Sequence, residues 1–106
     1  MKVLNSQELR EKINSGEKFI VDMYADWCGP CRILGPIVER VGEQLKSEGH
    51  QVSVYKFDIE TDQQLASELG VRSIPTIKAF GNGQNLVTRI GVLQEGQIIE
   101  MANSIL

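Results

Sequence analysis

A chain of 106 residues, 42% hydrophobic and 24% charged, is long enough to bury one core without metal or disulfide staples, so a single domain over residues 1–106 is expected. A net charge of −3 with no basic run argues against nucleic acid as a partner, and no apolar run approaches the roughly 20 residues that cross a bilayer. Met1–Asn5 lacks the apolar stretch of a secretory signal, so a cytoplasmic location and no membrane association are expected.

Val3 and Leu4 read as a short edge strand or a packing tail. Asn5 and Glu8 have the spacing of a capping box that opens a helix, with Leu4 and Leu9 as its hydrophobic staple and Gly16 as its stop. Phe19–Tyr24 is almost unbroken apolar, as in a central strand covered on both faces. It runs directly into Trp27-Cys28-Gly29-Pro30-Cys31. Pro30 suits the first turn of a helix, where its missing N–H costs nothing, and Ile33, Leu34, Ile37, Val38, Val41 and Leu45 continue at helical spacing towards Gly49. Pro36 lies inside that pattern and predicts a kink. Val52–Phe57 reads as a second buried strand, and Thr61–Leu69 as a short helix with Thr61 and Gln64 as capping box and Gly70 as stop. Thr76–Phe80 is a third strand, Gly81-Asn82-Gly83 a hairpin turn, and Leu86–Ile90 the returning strand. Ile98, Met101, Ala102 and Ile105 mark a last amphipathic helix. Alternation of strands and helices predicts parallel crossovers, and the hairpin adds an antiparallel edge. The fold class is α/β, a mixed central sheet flanked by helices on both faces.

Cys28 and Cys31 are the only cysteines. A bridge between them closes too small a loop to remove much chain entropy, so its structural value is small. Zinc needs four ligands, and the one histidine, His50, follows Gly49 in a predicted loop. In a reducing compartment such a pair reads as redox chemistry. Cys28 ends a loop and opens a helix, so free N–H groups and the positive helix end favour its thiolate. Cys31, one turn on, faces inward. Once Cys28 forms a mixed disulfide, Cys31 is already beside it at high effective molarity. The Gly29-Pro30 spacer adds no positive charge that would stabilise the reduced form, which suits an electron donor. Asp22, in the middle of the buried strand, is the candidate proton acceptor for Cys31, because burial raises a carboxyl's proton affinity. Lys56, on the neighbouring strand, is its expected ionic counterpart.

The run Val21-Asp22-Met23-Tyr24-Ala25-Asp26-Trp27-Cys28-Gly29-Pro30-Cys31 resembles the active-site segment of the thioredoxin family. Pro36, Lys56-Phe57-Asp58, Val71-Arg72-Ser73-Ile74-Pro75-Thr76, Phe80 with Asn82-Gly83, and Gly91 continue the resemblance in order over nearly the whole chain. The resemblance implies the thioredoxin fold and protein-disulfide reduction, with Cys28 as nucleophile, Cys31 as resolving thiol and Asp22 as buried acid/base. It implies a cis Pro75 that presents the Ile74 backbone to an extended substrate. It also implies an apolar docking rim of Trp27, Gly29, Pro30, Ile74, Gly91 and Val92. No cofactor would be bound; electrons would come from NADPH through a separate thioredoxin reductase, and a monomer acting on disulfide-containing proteins is expected. The rival readings are a thiol oxidase or isomerase of the same fold, and a binding subunit that uses the rim without turnover. Met23 and Tyr24 depart from the aromatic pair usual in the family, Val92 stands where a smaller residue is common, and Gln94-Glu95 alter the loop that follows.

Overall fold

The computed structural model describes all of residues 1–106. Asn5 opens helix α1 (Ser6–Ser15) through the expected reciprocal cap: its Oδ1 accepts from Glu8 N–H at 2.8 Å, and Glu8 Oε1 accepts from Asn5 N–H at 2.9 Å. Gly16 ends the helix in the left-handed region, at φ 80°, with its N–H donating to Ile13 O. Strand β1 (Phe19–Tyr24) follows, then helix α2 (Gly29–Ser47), strand β2 (Ser53–Asp58), a 3₁₀ turn (Ile59–Thr61), helix α3 (Gln63–Glu68), strands β3 (Thr76–Gly81) and β4 (Gln84–Ile90), and helix α4 (Glu95–Ser104).

The sheet order is β2-β1-β3-β4. β1 runs parallel to β2, as the α2 crossover requires, and antiparallel to β3. Alternation along β1 then assigns each side chain a face. Ile20 joins a core of Leu34, Val38 and Val41 from α2 and Ile98, Met101 and Ala102 from α4. Phe19, Val21 and Met23 point the other way and pack with Leu9 of α1, Leu65 of α3, Phe57 and Phe80. Phe19 stacks on Phe80 with ring centroids 5.1 Å apart and meets Tyr55 edge-on at 5.8 Å. Asp22, one residue from Val21, is thereby placed on the α2/α4 face.

Several expected boundaries shift. Of the two readings of the N-terminal segment the packing tail holds: Leu4 is buried, Val3 makes a single parallel bridge to Lys56, and Leu4 N–H donates to Lys56 O at 2.8 Å. β2 begins one residue late because Val52 N–H donates to His50 Nδ1 at 3.0 Å before the ladder starts. The helix expected from Thr61 divides in two. Asp58 caps the 3₁₀ turn through Glu60 N–H at 2.9 Å, and Asp62 caps α3 through Leu65 N–H at 2.9 Å. The Thr61 hydroxyl instead donates to Asp58 O at 2.7 Å, so the cap belongs to the carboxylate, which only accepts. Pro36 lies inside α2 without ending it. The hairpin forms as expected, with Asn82 at φ 56° and Gly83 at φ 79°, the two consecutive positive values that a type I′ turn demands.

Candidate active site

β1 ends at Tyr24, and the chain turns through Ala25–Trp27 so that Cys28 becomes the N-cap of α2. Its Sγ accepts from Cys31 N–H at 3.2 Å, and Pro30 fills the first turn. An N-terminal turn of N–H groups without helical acceptors therefore faces this sulfur, the arrangement that favours negative charge on it. Cys28 and Cys31 are joined as a disulfide, with Cα atoms 5.2 Å apart. The expected contrast in exposure is absent in this oxidised form, since both residues are 5% exposed. What separates them is position. Cys28 is bracketed by exposed Trp27, Gly29 and Pro30, whereas Cys31 leads into buried Leu34 and Gly35.

Two loops at the same end of the sheet, one before β3 and one after β4, close on this corner. The Ile74–Pro75 bond is cis, as the resemblance implies, and Ile74 O lies 3.8 Å from Cys28 Sγ. Gly91 N–H donates to Pro75 O at 2.9 Å, which ties the segment after β4 to the loop before β3. Gly91 holds φ at 93°, a backbone state that a side chain would resist. Trp27 is 66% exposed and is not a core residue; its Nε1–H donates to Glu60 of the 3₁₀ turn. With exposed Val92, Gly29 and Pro30 and half-buried Ile74, it forms an apolar surface around the disulfide. Pro75 itself is buried beneath that surface.

Asp22 is fully buried, and no protein group donates a hydrogen bond to either of its carboxyl oxygens. Burial pushes its pKa up to about 6; the nearby Lys56 charge partly offsets this, and the Glu39 carboxylate adds to it. Lys56 stands opposite Asp22 in the β1–β2 register, but the expected pairing is not made. The Lys56 ammonium lies instead 3.7 Å from Glu39 Oε2 and 4.7 Å from the centre of the Tyr24 ring. The Tyr24 hydroxyl has a raised pKa, chiefly from burial and then from Asp58, Asp26 and Asp22. Sequence patterning does not single out Glu39 or Glu60. Glu39 carries a usable signal, since Cys31, Gly35 and Glu39 recur at intervals of four along one side of a helix. Glu60 carries none, because only the 3₁₀ turn brings it to Trp27.

A disulfide between neighbouring cysteines at a helix N-terminus, beside a cis-proline loop and fed by a strand that carries a buried carboxyl, defines a protein built for dithiol–disulfide exchange. Residues 1–104 match the Thioredoxin family model. A thioredoxin of Rickettsia felis is 38% identical over 101 residues, covering 95% of this chain and 93% of that protein. A mutant thioredoxin from Halobacterium salinarum is similar in structure, with TM-score 0.84 and 32% identity over 98% of this chain and 88% of the other. A third similar structure bears on the thiol resolving mechanism of yeast mitochondrial 1-Cys peroxiredoxin via glutathione/thioredoxin systems; it has TM-score 0.83 and 25% identity, with 98% of this chain and 94% of that chain covered. The chain belongs to the thioredoxin family. It is a thiol–disulfide oxidoreductase whose redox group is the Cys28–Cys31 pair.

Proposed function

We propose that the protein is a single-domain, monomeric, cytoplasmic protein-disulfide reductase in which Cys28 attacks and Cys31 resolves. The Cys28 thiolate attacks one sulfur of a substrate disulfide, forming a mixed disulfide and releasing the first substrate thiolate. Asp22 accepts the proton of the Cys31 thiol. The Cys31 thiolate then attacks Cys28 Sγ, the mixed disulfide breaks, and the second substrate thiolate leaves. The substrate has gained two electrons and the protein keeps the Cys28–Cys31 disulfide. Two electrons from NADPH, delivered by a separate thioredoxin reductase, restore the dithiol. Lys56 moderates the charge that Asp22 carries. Trp27, Gly29, Pro30, Ile74, Gly91 and Val92 dock the substrate, with the Ile74 backbone beside the reacting sulfur and Pro75 holding it there.

The observation that carries this reading is the 3.2 Å bond from Cys31 N–H to Cys28 Sγ at the start of α2. It gives the two sulfurs unequal settings, one at the helix end and one a turn inside. Cys31→Ser should therefore trap covalent complexes with disulfide substrates, because attack survives and resolution does not. If Cys28 in that variant still alkylates readily but traps nothing, the two roles are wrongly assigned. Reduction of insulin disulfides coupled to NADPH and a thioredoxin reductase tests the electron source. Equilibration with a glutathione buffer tests direction: a potential well above the cytosolic glutathione poise would make the protein an oxidant instead.

A further inference from the structure

The buried carboxyl of Asp22 has a cation within reach and does not use it. Lys56 is its register partner on β2, on the same face of the sheet, yet neither Asp22 oxygen accepts from it or from any other protein group. The ammonium is held on the helix side. Cys31, Gly35 and Glu39 lie on successive turns of α2, and the ammonium packs against Gly35, where a side chain would crowd it. A Cβ built on Gly35 would stand 3.3 Å from Lys56 Nζ. Glu39 Oε2, at 3.7 Å, supplies the counter-charge, and the Tyr24 ring, at 4.7 Å, supplies a π-face. Lys56 is mostly buried while Glu39 is half-exposed, so the pair sits where water screens it only in part.

We propose that Glu39 is a positioning residue for the resolving step: it draws the Lys56 ammonium over Gly35 and away from Asp22, which leaves the buried carboxyl unpaired and able to take the Cys31 proton. The proposal rests on the reading of Asp22 as proton acceptor. A carboxylate bonded directly to an ammonium is held in its charged form and is a weaker base. One that is buried and unpaired binds a proton more tightly, which brings its proton affinity closer to that of the thiol it must deprotonate. Glu39 acts in the same sense by its own charge, which disfavours a second carboxylate nearby. The charged and titratable groups near Asp22 are few. β2 contributes Lys56, α2 contributes Glu39, and its own strand contributes Tyr24; α4 packs on this face through apolar Ile98, Met101 and Ala102, β3 contributes apolar Ile77, and Arg89 of β4 lies a further strand away and is exposed.

The test is a carbon-13 NMR titration of the Asp22 carboxyl in the oxidised protein, for the natural chain, Glu39→Gln, Lys56→Met and the double variant. Glu39→Gln should move the Asp22 midpoint to lower pH, since the neighbouring negative charge is removed and the ammonium is freed to turn inward. Lys56→Met should move it to higher pH. With Lys56 absent, the shift caused by Glu39→Gln should shrink to its direct Coulomb part. A midpoint unmoved by Glu39→Gln, or moved equally with and without Lys56, overturns the proposal. The resolving rate of a pre-formed Cys28 mixed disulfide is then followed against pH. In Glu39→Gln its lower limb should move to lower pH together with the midpoint, and Glu39→Asp should restore part of the natural profile. A midpoint that moves while the resolving profile stays fixed overturns the base assignment of Asp22, and with it a catalytic part for Glu39. A fixed midpoint removes only the hold of Glu39 on Asp22.

Discussion

Asp22 and Lys78 are buried charged residues on opposite faces of one sheet, and the sheet treats them differently. Asp22 lies on β1 under α2, with a short side chain that reaches no donor. Lys78 lies on β3 opposite Val21, on the α1/α3 face, and its long side chain runs towards the open edge, where Nζ donates to Thr88 Oγ1 of β4 at 3.1 Å. Burial raises the pKa of the acid and lowers that of the amine, so in both cases the neutral form gains. Only Asp22 is left without a protein hydrogen-bond partner, and only Asp22 lies on the face against which α2 packs. The contrast separates a buried polar group that the fold has accommodated from one that it leaves available for chemistry.

The largest way to disturb this contrast is to remove the smaller core beneath Lys78. Phe19→Ala deletes a fully buried ring stacked on Phe80 and should cost about 3–5 kcal/mol in denaturant unfolding, more than any change at either charge. A cost near 1 kcal/mol would mean that the α1/α3 face collapses into the void.

Asp22→Asn comes next. The folded pKa of about 6 exceeds the ordinary carboxyl value of 3.8, so the native state binds the Asp22 proton more tightly than the unfolded state does. Stability therefore falls as pH rises from about 4 to about 6, and the penalty is fully present at pH 7. The variant should be more stable than the natural chain by up to about 3 kcal/mol at pH 7, with the gain fading towards pH 4. Urea unfolding at the two pH values checks this; an equal gain at both would show that Asp22 ionisation is not its source. The same variant should slow resolution more than attack, and equal slowing of both steps would remove the base role.

Lys78→Met should have the smallest effect, a gain of about 1 kcal/mol or a rise of a few degrees in Tm, with thiol exchange unchanged. A loss of exchange activity there would extend the functional region across the sheet.

Much of this was legible in the chain because it depends on local spacing. The Asn5/Glu8 box, the Gly16 stop, the Asn82-Gly83 turn and the helical register after Cys31 each need only a few neighbouring residues to specify them. The misread elements were decided by competition between local options. Asp62 caps α3 because its ionised oxygen is the better acceptor while Thr61 has a nearby carbonyl to donate to. At the site, the sequence pointed to Asp22 and Lys56 as neighbours but assumed that opposite charges in register would pair. Glu39 and the gap at Gly35 offered the ammonium a better-hydrated partner, which no strand pattern could reveal.

The order of residues by itself determined that two thiols share the first turn of a helix fed by a buried strand, because a three-residue separation and a strand-to-helix switch are properties of a short stretch of backbone. Tertiary structure alone decided that Gly91 ties to Pro75, that Ile74 O meets Cys28, that Glu60 holds Trp27 and that Glu39 rather than Asp22 receives Lys56. Those contacts join segments distant in the chain, and they depend on how far each side chain reaches and how much water remains around it once the helices have settled on the sheet.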